Sequence, residues 1–142
     1  MSTSAVAQPS RAVAPWLALT LSVLPLVGFL VFLVLPYVVN DLDRFTLAEV
    51  ASGAHDPIYY WPYADGGPLA TVFGIGSVLT LFFGALVSVL GGMLSLHGLV
   101  TEWGLPGRVR RTVWVIGALA MVAFIAVGLS PFGIALWAQA MD

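Results

Sequence analysis

A chain of 142 residues that is 60% hydrophobic and 8% charged carries more apolar surface than a soluble domain of that size can hide, since soluble domains are about 25% charged. Its net charge of −2, without a basic patch, excludes nucleic acid as a partner. The absence of cysteine excludes disulfides, thiolate metal sites and cysteine nucleophiles.

The few charges are segregated. Residues 15–39, 69–101 and 112–141 contain no Asp, Glu, Lys or Arg, and each run exceeds the roughly 20 residues a helix needs to cross a ~30 Å hydrocarbon core. The pattern predicts an all-α integral membrane protein with three transmembrane helices, at about 15–39, 69–100 and 112–137, in a single domain spanning 15–142. Residues 1–14 are polar and rich in small residues, which predicts a disordered cytoplasmic tail. The apolar run that follows continues to Val39, past the 7–15 residues of a typical signal-peptide core, and no A-x-A-like site closes it. It reads as a permanent span. Within it Pro25, with Gly28 one turn later, predicts a kink, and Pro36 a second weakness near the exit.

Residues 40–68 form a 29-residue connection, longer than a bare turn requires. Its first part, "DRFTLAEVASG", predicts a short interfacial helix: Thr46 and Glu49 match a capping box and Gly53 a C-terminal stop. Phe45, Leu47, Ala48 and Val50 would then rest on the headgroup surface. Its second part, "HDPIYYWPYADGGP", sets Tyr59, Tyr60, Trp61 and Tyr63 among prolines and glycines that forbid a long helix. Amphipathic rings gather at membrane interfaces, so these four read either as an anchor fixing the depth of span two or as a partner-docking surface. Asp41, Asp43 and Asp56 are divalent-cation ligand types, but without the acid-and-glycine period of a calcium loop.

Span two carries the strongest pattern in the chain. Gly76, Thr80, Gly84, Ser88 and Gly92 recur at a strict four-residue interval, with Gly91 and Ser95 beside them. Small residues four apart let another helix approach closely. Leucine at Gly84 or Gly92 should therefore disrupt a helix pair, whereas substitutions at Leu81 or Leu90 should be milder. The pattern leaves open whether the mate lies in this chain or in a partner; Gly117, Ala120, Ala123 and Gly128 in span three offer a looser complementary set. His97 lies thirteen residues from Gly84, about 20 Å along the helix, and reads as a solvated interfacial histidine or, more weakly, as a haem ligand shared with a partner.

Residues 101–111 hold Arg108, Arg110 and Arg111, whereas residues 40–68 hold five acids and Arg44 alone. By the positive-inside rule the N-terminus and this second connection are cytoplasmic, and the first connection and the C-terminus face outward. In span three the stretch "SPFG", residues 130–133, should bend or end the helix.

The spans hold no carboxylate, lysine or arginine of the kind that marks ion and proton pathways. Their Ser and Thr hydroxyls can bond to their own helix carbonyls, and no nucleophile–base pair or phosphate-cradling loop is present. The expectation is no enzyme, no cofactor and no resident metal. It is instead a non-catalytic accessory or scaffold subunit, in contact with membrane lipids, of a larger membrane complex of respiratory or transport machinery. The alternatives are a small transporter or channel self-associating through the stripe, and a haem- or quinone-contacting subunit using His97. Arginine without lysine, absent cysteine and Ala/Val/Leu/Gly-rich spans resemble the style of small membrane proteins from GC-rich bacteria, which implies a multi-pass protein of the cytoplasmic membrane.

Overall fold

A computed structural model describes residues 15–102 and 107–141. The tail expected over 1–14, Arg11 within it, and residues 103–106 of the second connection lie outside the described residues. Those described are helical apart from turns and short irregular links. Three helical stretches are long and apolar enough to cross a membrane: Pro15–Val39, Pro68–Glu102 and Arg108–Gly128, with mean hydropathies of 2.6, 2.2 and 1.9.

The first span is not one regular helix. α1 (Pro15–Phe29) runs through Pro25, a π-helical turn follows at Leu30–Val34, and α2 (Leu35–Val39) completes the crossing. The departure from α geometry falls at 30–34, just before Pro36, where the second weakness was expected. Pro36 is the physical reason: its ring crowds the carbonyl one α-turn back and it has no N–H to give it, and a widened turn relieves that crowding. The carbonyl in question is that of Phe32, and Ser77 Oγ from the second span donates to it at 3.2 Å.

α4 (Pro68–Glu102) is the longest element, 35 residues or about 52 Å. α1 packs against both α4 and α5 (Arg108–Gly128), and α4 packs against α5, so the three spans form one bundle. Gly76, Thr80, Gly84, Ser88, Gly91, Gly92, Ser95 and Gly98 are the buried face of α4. Side chains from the other two spans land on its glycines: Phe32 on Gly76, Phe124 and Pro25 at Gly84, Met121 on Gly92 and Trp114 on Gly98. The stripe thus faces spans one and three of its own chain. Leu81 is buried with it, in a cluster with Phe29, Leu33 and Phe124, so it does not share the lipid-facing position of Leu90, and the two should not be equally tolerant. Thr20 and Ser22 bond to their own helix carbonyls at 2.8 and 3.0 Å. Ser88 and Ser95, expected to do the same, keep their buried hydroxyl oxygens unpartnered.

At the arginine-bearing end, Glu102 closes the bundle. It takes both Nε and Nη2 of Arg110 at 2.6 Å and the indole N–H of the buried Trp114 at 3.0 Å. This fork geometry ties the last turn of α4 to the first turns of α5.

The expected third span, 112–137, is two helices. α5 stops at Gly128 and α6 (Pro131–Gln139) starts after a two-residue turn. Ser130 caps α6 by accepting the N–H of Gly133 at 3.0 Å, and Pro131 occupies the first turn, where a missing N–H costs nothing. Gly133 lies directly on the Val127 carbonyl and the Gly128 backbone, which only a residue without a side chain permits. α6 then folds over the end of the bundle and packs against α3 (Leu47–Ala51).

α3, α6 and the rest of residues 40–68 make a cap on that end. The capping box is complete: Thr46 Oγ1 accepts the Glu49 N–H, and Glu49 Oε2 accepts the Thr46 N–H at 2.8 Å. Gly53 adopts φ 72° just past the helix. Of the four apolar residues expected on the headgroup surface, Ala48 is exposed and Leu47 half-buried, but Val50 and Phe45 turn inward. Val50 is fully buried in the core cluster with Leu42 and Leu136, and Phe45 packs against that cluster; α6, unforeseen as a separate helix, supplies the surface that covers them.

Candidate functional site

The cap is held to the bundle by residues far apart in sequence. Asn40, just past α2, uses both amide hydrogens, on the carbonyls of Pro36 and Trp61 at 2.7 Å each, and its Oδ1 accepts the Trp61 N–H at 3.1 Å. Trp61 therefore hangs from the end of the first span, with its ring edge-to-face against Phe73 of α4. Tyr63 reaches Ser77 Oγ with its hydroxyl at 3.3 Å. His55 stacks on Phe45 with ring centroids 3.8 Å apart, lies within 3.2 Å of the Tyr60 hydroxyl, and offers its carbonyl to Gln139 of α6 at 3.2 Å.

This bracing frames a half-open cavity of about 350 Å³ between cap and bundle, at the low end of the range for small-molecule sites, about 300–1,000 Å³. Four parts of the chain supply its wall: Tyr37 and Asn40 at the end of span one, Gly74, Ser77 and Val78 of α4, Leu136 and Gln139 of α6, and the segment around Asp56, Tyr60, Trp61 and Tyr63. Gly74 has room beside it, Tyr63 being 4.0 Å from where a side chain would begin.

The four aromatic residues singled out in the sequence therefore separate. Tyr60, Trp61 and Tyr63 are partly buried and line the cavity, and only Tyr59 projects, 78% exposed, beside Ile58 at 59%. The stripe residues Gly76, Thr80, Gly84, Ser88 and Gly92 lie inside the bundle, away from this cavity. Arg108, Arg110 and Arg111 sit at the opposite end, at the start of α5. His97 is exposed on α4 near that end, with its carbonyl accepting from Thr101; His55 belongs to the cap, so the two histidines do not converge. Among the described residues no three His, Asp or Glu side chains come together as a metal site, Asp41, Asp43 and Asp56 included.

Asn40, Ser77 and Gln139 had not been singled out as site residues. The one local signal was a lone amide side chain closing an apolar run at Asn40; its partner lies 21 residues on.

In the cap, hydrogen bonds from the Thr46 backbone N–H and then its hydroxyl hold the Glu49 carboxyl below the usual carboxylate range. A folded-state value depressed in this way adds stability that is present at neutral pH and is lost as pH falls through the folded value. The Glu49 carboxyl carbon should therefore titrate below that of an exposed glutamate in NMR. Thr46→Ala should raise it part of the way, because the hydroxyl is lost while the backbone N–H of residue 46 remains, and an unchanged titration would mean that the capping box does not form.

Comparison with protein-family models, curated proteins and solved structures finds no match to this chain.

Proposed function

We propose that this chain is a non-catalytic accessory subunit of a larger membrane complex, of respiratory or transport type. In this reading it sits in the cytoplasmic membrane of a bacterium with its cap outside and its arginine-bearing turn inside. The exposed pair Ile58–Tyr59 carries the proposal. Around it the cap is braced by Asn40, Tyr63 and Gln139, yet this pair, following Asp56 and Pro57 in a short 3-10 turn, projects as an apolar and aromatic tip. Exposed aromatics on a rigid support suit a protein–protein contact more than a freely moving loop does.

The orientation rests on the charge asymmetry between the two connections, and Arg110 serves it while also pairing with Glu102. Self-association through the 76–92 stripe loses its surface, since that face is covered by α1 and α5. A haem held within this chain has no histidine pair to bind it, because His97 and His55 lie at opposite ends of the bundle; the shared-haem alternative keeps the exposed His97 as its ligand.

Gentle-detergent extraction from the native membrane, followed by native electrophoresis and mass spectrometry, tests the reading. The expected result is co-migration with other subunits at fixed ratio, lost in an Ile58→Ser/Tyr59→Ser double variant that still inserts and folds. A single species containing only this chain would overturn it.

A further inference from the structure

The cap cavity has a chemistry that the subunit reading leaves unused. Asp56 is the only charged side chain among its described lining residues, which include no Arg, Lys or His. Its Oδ1 caps the short turn by accepting the Ile58 N–H at 2.9 Å, and the second carboxylate oxygen is left for another partner. Four further acids, Asp41, Asp43, Glu49 and Asp65, share the same connection. The one arginine there, Arg44, lies over the Phe45 ring at 5.5 Å and is not part of the wall. The field at the cavity therefore favours a cation, and a phosphate or carboxylate would meet Asp56 without a counter-charge.

The same wall is largely aromatic, with Tyr37, Tyr60, Trp61 and Tyr63 among its lining residues. Ring faces attract cations, and quaternary ammonium groups are held this way in aromatic cages. Most polar groups of the wall are already engaged: the Tyr60 hydroxyl with His55, the Tyr63 hydroxyl with Ser77, Asn40 through both amide hydrogens and its Oδ1, and Gln139 through its Nε2 on the His55 carbonyl. Little capacity remains for a sugar or nucleoside, which would lose its hydrogen bonds to water without replacing them. A cation that asks for no directed hydrogen bonds fits better. The wall also reaches Val78, 51% exposed on the membrane-facing flank of α4, so an attached apolar chain has a way into the bilayer.

We infer that this cavity takes the head of an amphiphilic organic cation, a quaternary or protonated amine bearing an apolar chain, with Asp56 as its counter-charge. A choline-type lipid headgroup and a free cationic amphiphile share this chemistry.

The test is calorimetric titration of the full chain, in neutral maltoside micelles, with hexyltrimethylammonium and with its neutral carbon isostere bearing a tert-butyl head. The ammonium should bind saturably and at least tenfold more tightly than the isostere. Asp56→Asn should raise its Kd at least tenfold while leaving the melting temperature unchanged, because asparagine caps the turn as well as aspartate does. Repeating the titration in phosphatidylcholine nanodiscs separates the sources: weakened binding identifies a lipid headgroup as the occupant, and unchanged binding identifies a free amphiphile. Absence of saturable binding, equal affinity for the isostere, or indifference to Asp56→Asn in a folded protein would overturn the inference.

Discussion

Gly91→Ala should lower the stability of the bundle by about 2–3 kcal/mol, the upper part of the range for overpacking a filled core. A Cβ at Gly91 would stand 2.6 Å from the backbone nitrogen of Ser22 and 2.8 Å from the carbonyl carbon of Leu21. Both atoms belong to main chain, which cannot rotate aside as a side chain can. The spot is also singular in α1, because Pro25 leaves the Leu21 carbonyl without its helical N–H and α4 lies directly against that stretch of backbone. Gly84→Ala should cost less, since its nearest neighbour is the edge of the Phe124 ring at 3.0 Å, which can tilt. Gly74→Ala is the control within the same helix. A Cβ there would meet only an ordinary contact, Tyr63 at 4.0 Å, and alanine is intrinsically the better helix former by about 0.8–1 kcal/mol, so its stability should hold or rise. Heat- or SDS-driven unfolding in mild detergent, followed by tryptophan fluorescence, ranks the three. Equal effects at Gly91 and Gly74 would show that α1 does not approach α4 at Ser22.

That ranking marks the boundary of what the sequence makes legible. Spans appear in it because the bilayer sorts residues by hydropathy over some twenty positions at a time, and Pro68–Glu102 emerges within two residues of its expected limits. The Thr46–Glu49 box is legible for another reason: its partners are three residues apart. The four-residue stripe shows that some helix comes close, but equal spacing hides unequal contacts, with an aromatic ring at Gly76, a thioether at Gly92 and, in the row beside it, backbone at Gly91. Hydropathy is blind to the break after Gly128, since α6 is as apolar as a span; the SPFG stretch at 130–133, expected to bend or end the helix, marked it. The cavity was least legible. Its wall comes from four separate stretches, and the inward turn of Tyr60, Trp61 and Tyr63 depends on partners at Asn40, Phe73 and Ser77 that no local pattern announces.

Asn40→Ala should release the aromatic segment without unfolding the spans. The side chain makes three hydrogen bonds, two of them to the backbone of Trp61. Removing it strands a partly buried N–H and C=O, each costing about 1–3 kcal/mol if left unpaired. Water can reach part of this site, so a local loss of about 2–3 kcal/mol is expected from the pair. Asn40→Asp should be no milder, because a carboxylate keeps the acceptor for the Trp61 N–H but faces the Trp61 carbonyl with no hydrogen to donate. Hydrogen exchange is the measurement: amides of residues 59–66 should lose protection in both variants, while those of α4 and α5 keep theirs. Unchanged exchange at Trp61 would mean that the cap is held by Tyr63 and the Trp61–Phe73 ring contact instead. The same variants bear on the cavity, since Trp61, between Tyr60 and Tyr63, is held by this clamp. Ammonium binding should fall in Asn40→Ala although Asp56 is untouched, because a counter-charge without its aromatic wall faces water, where about 1 kcal/mol is all that two charges 4 Å apart retain.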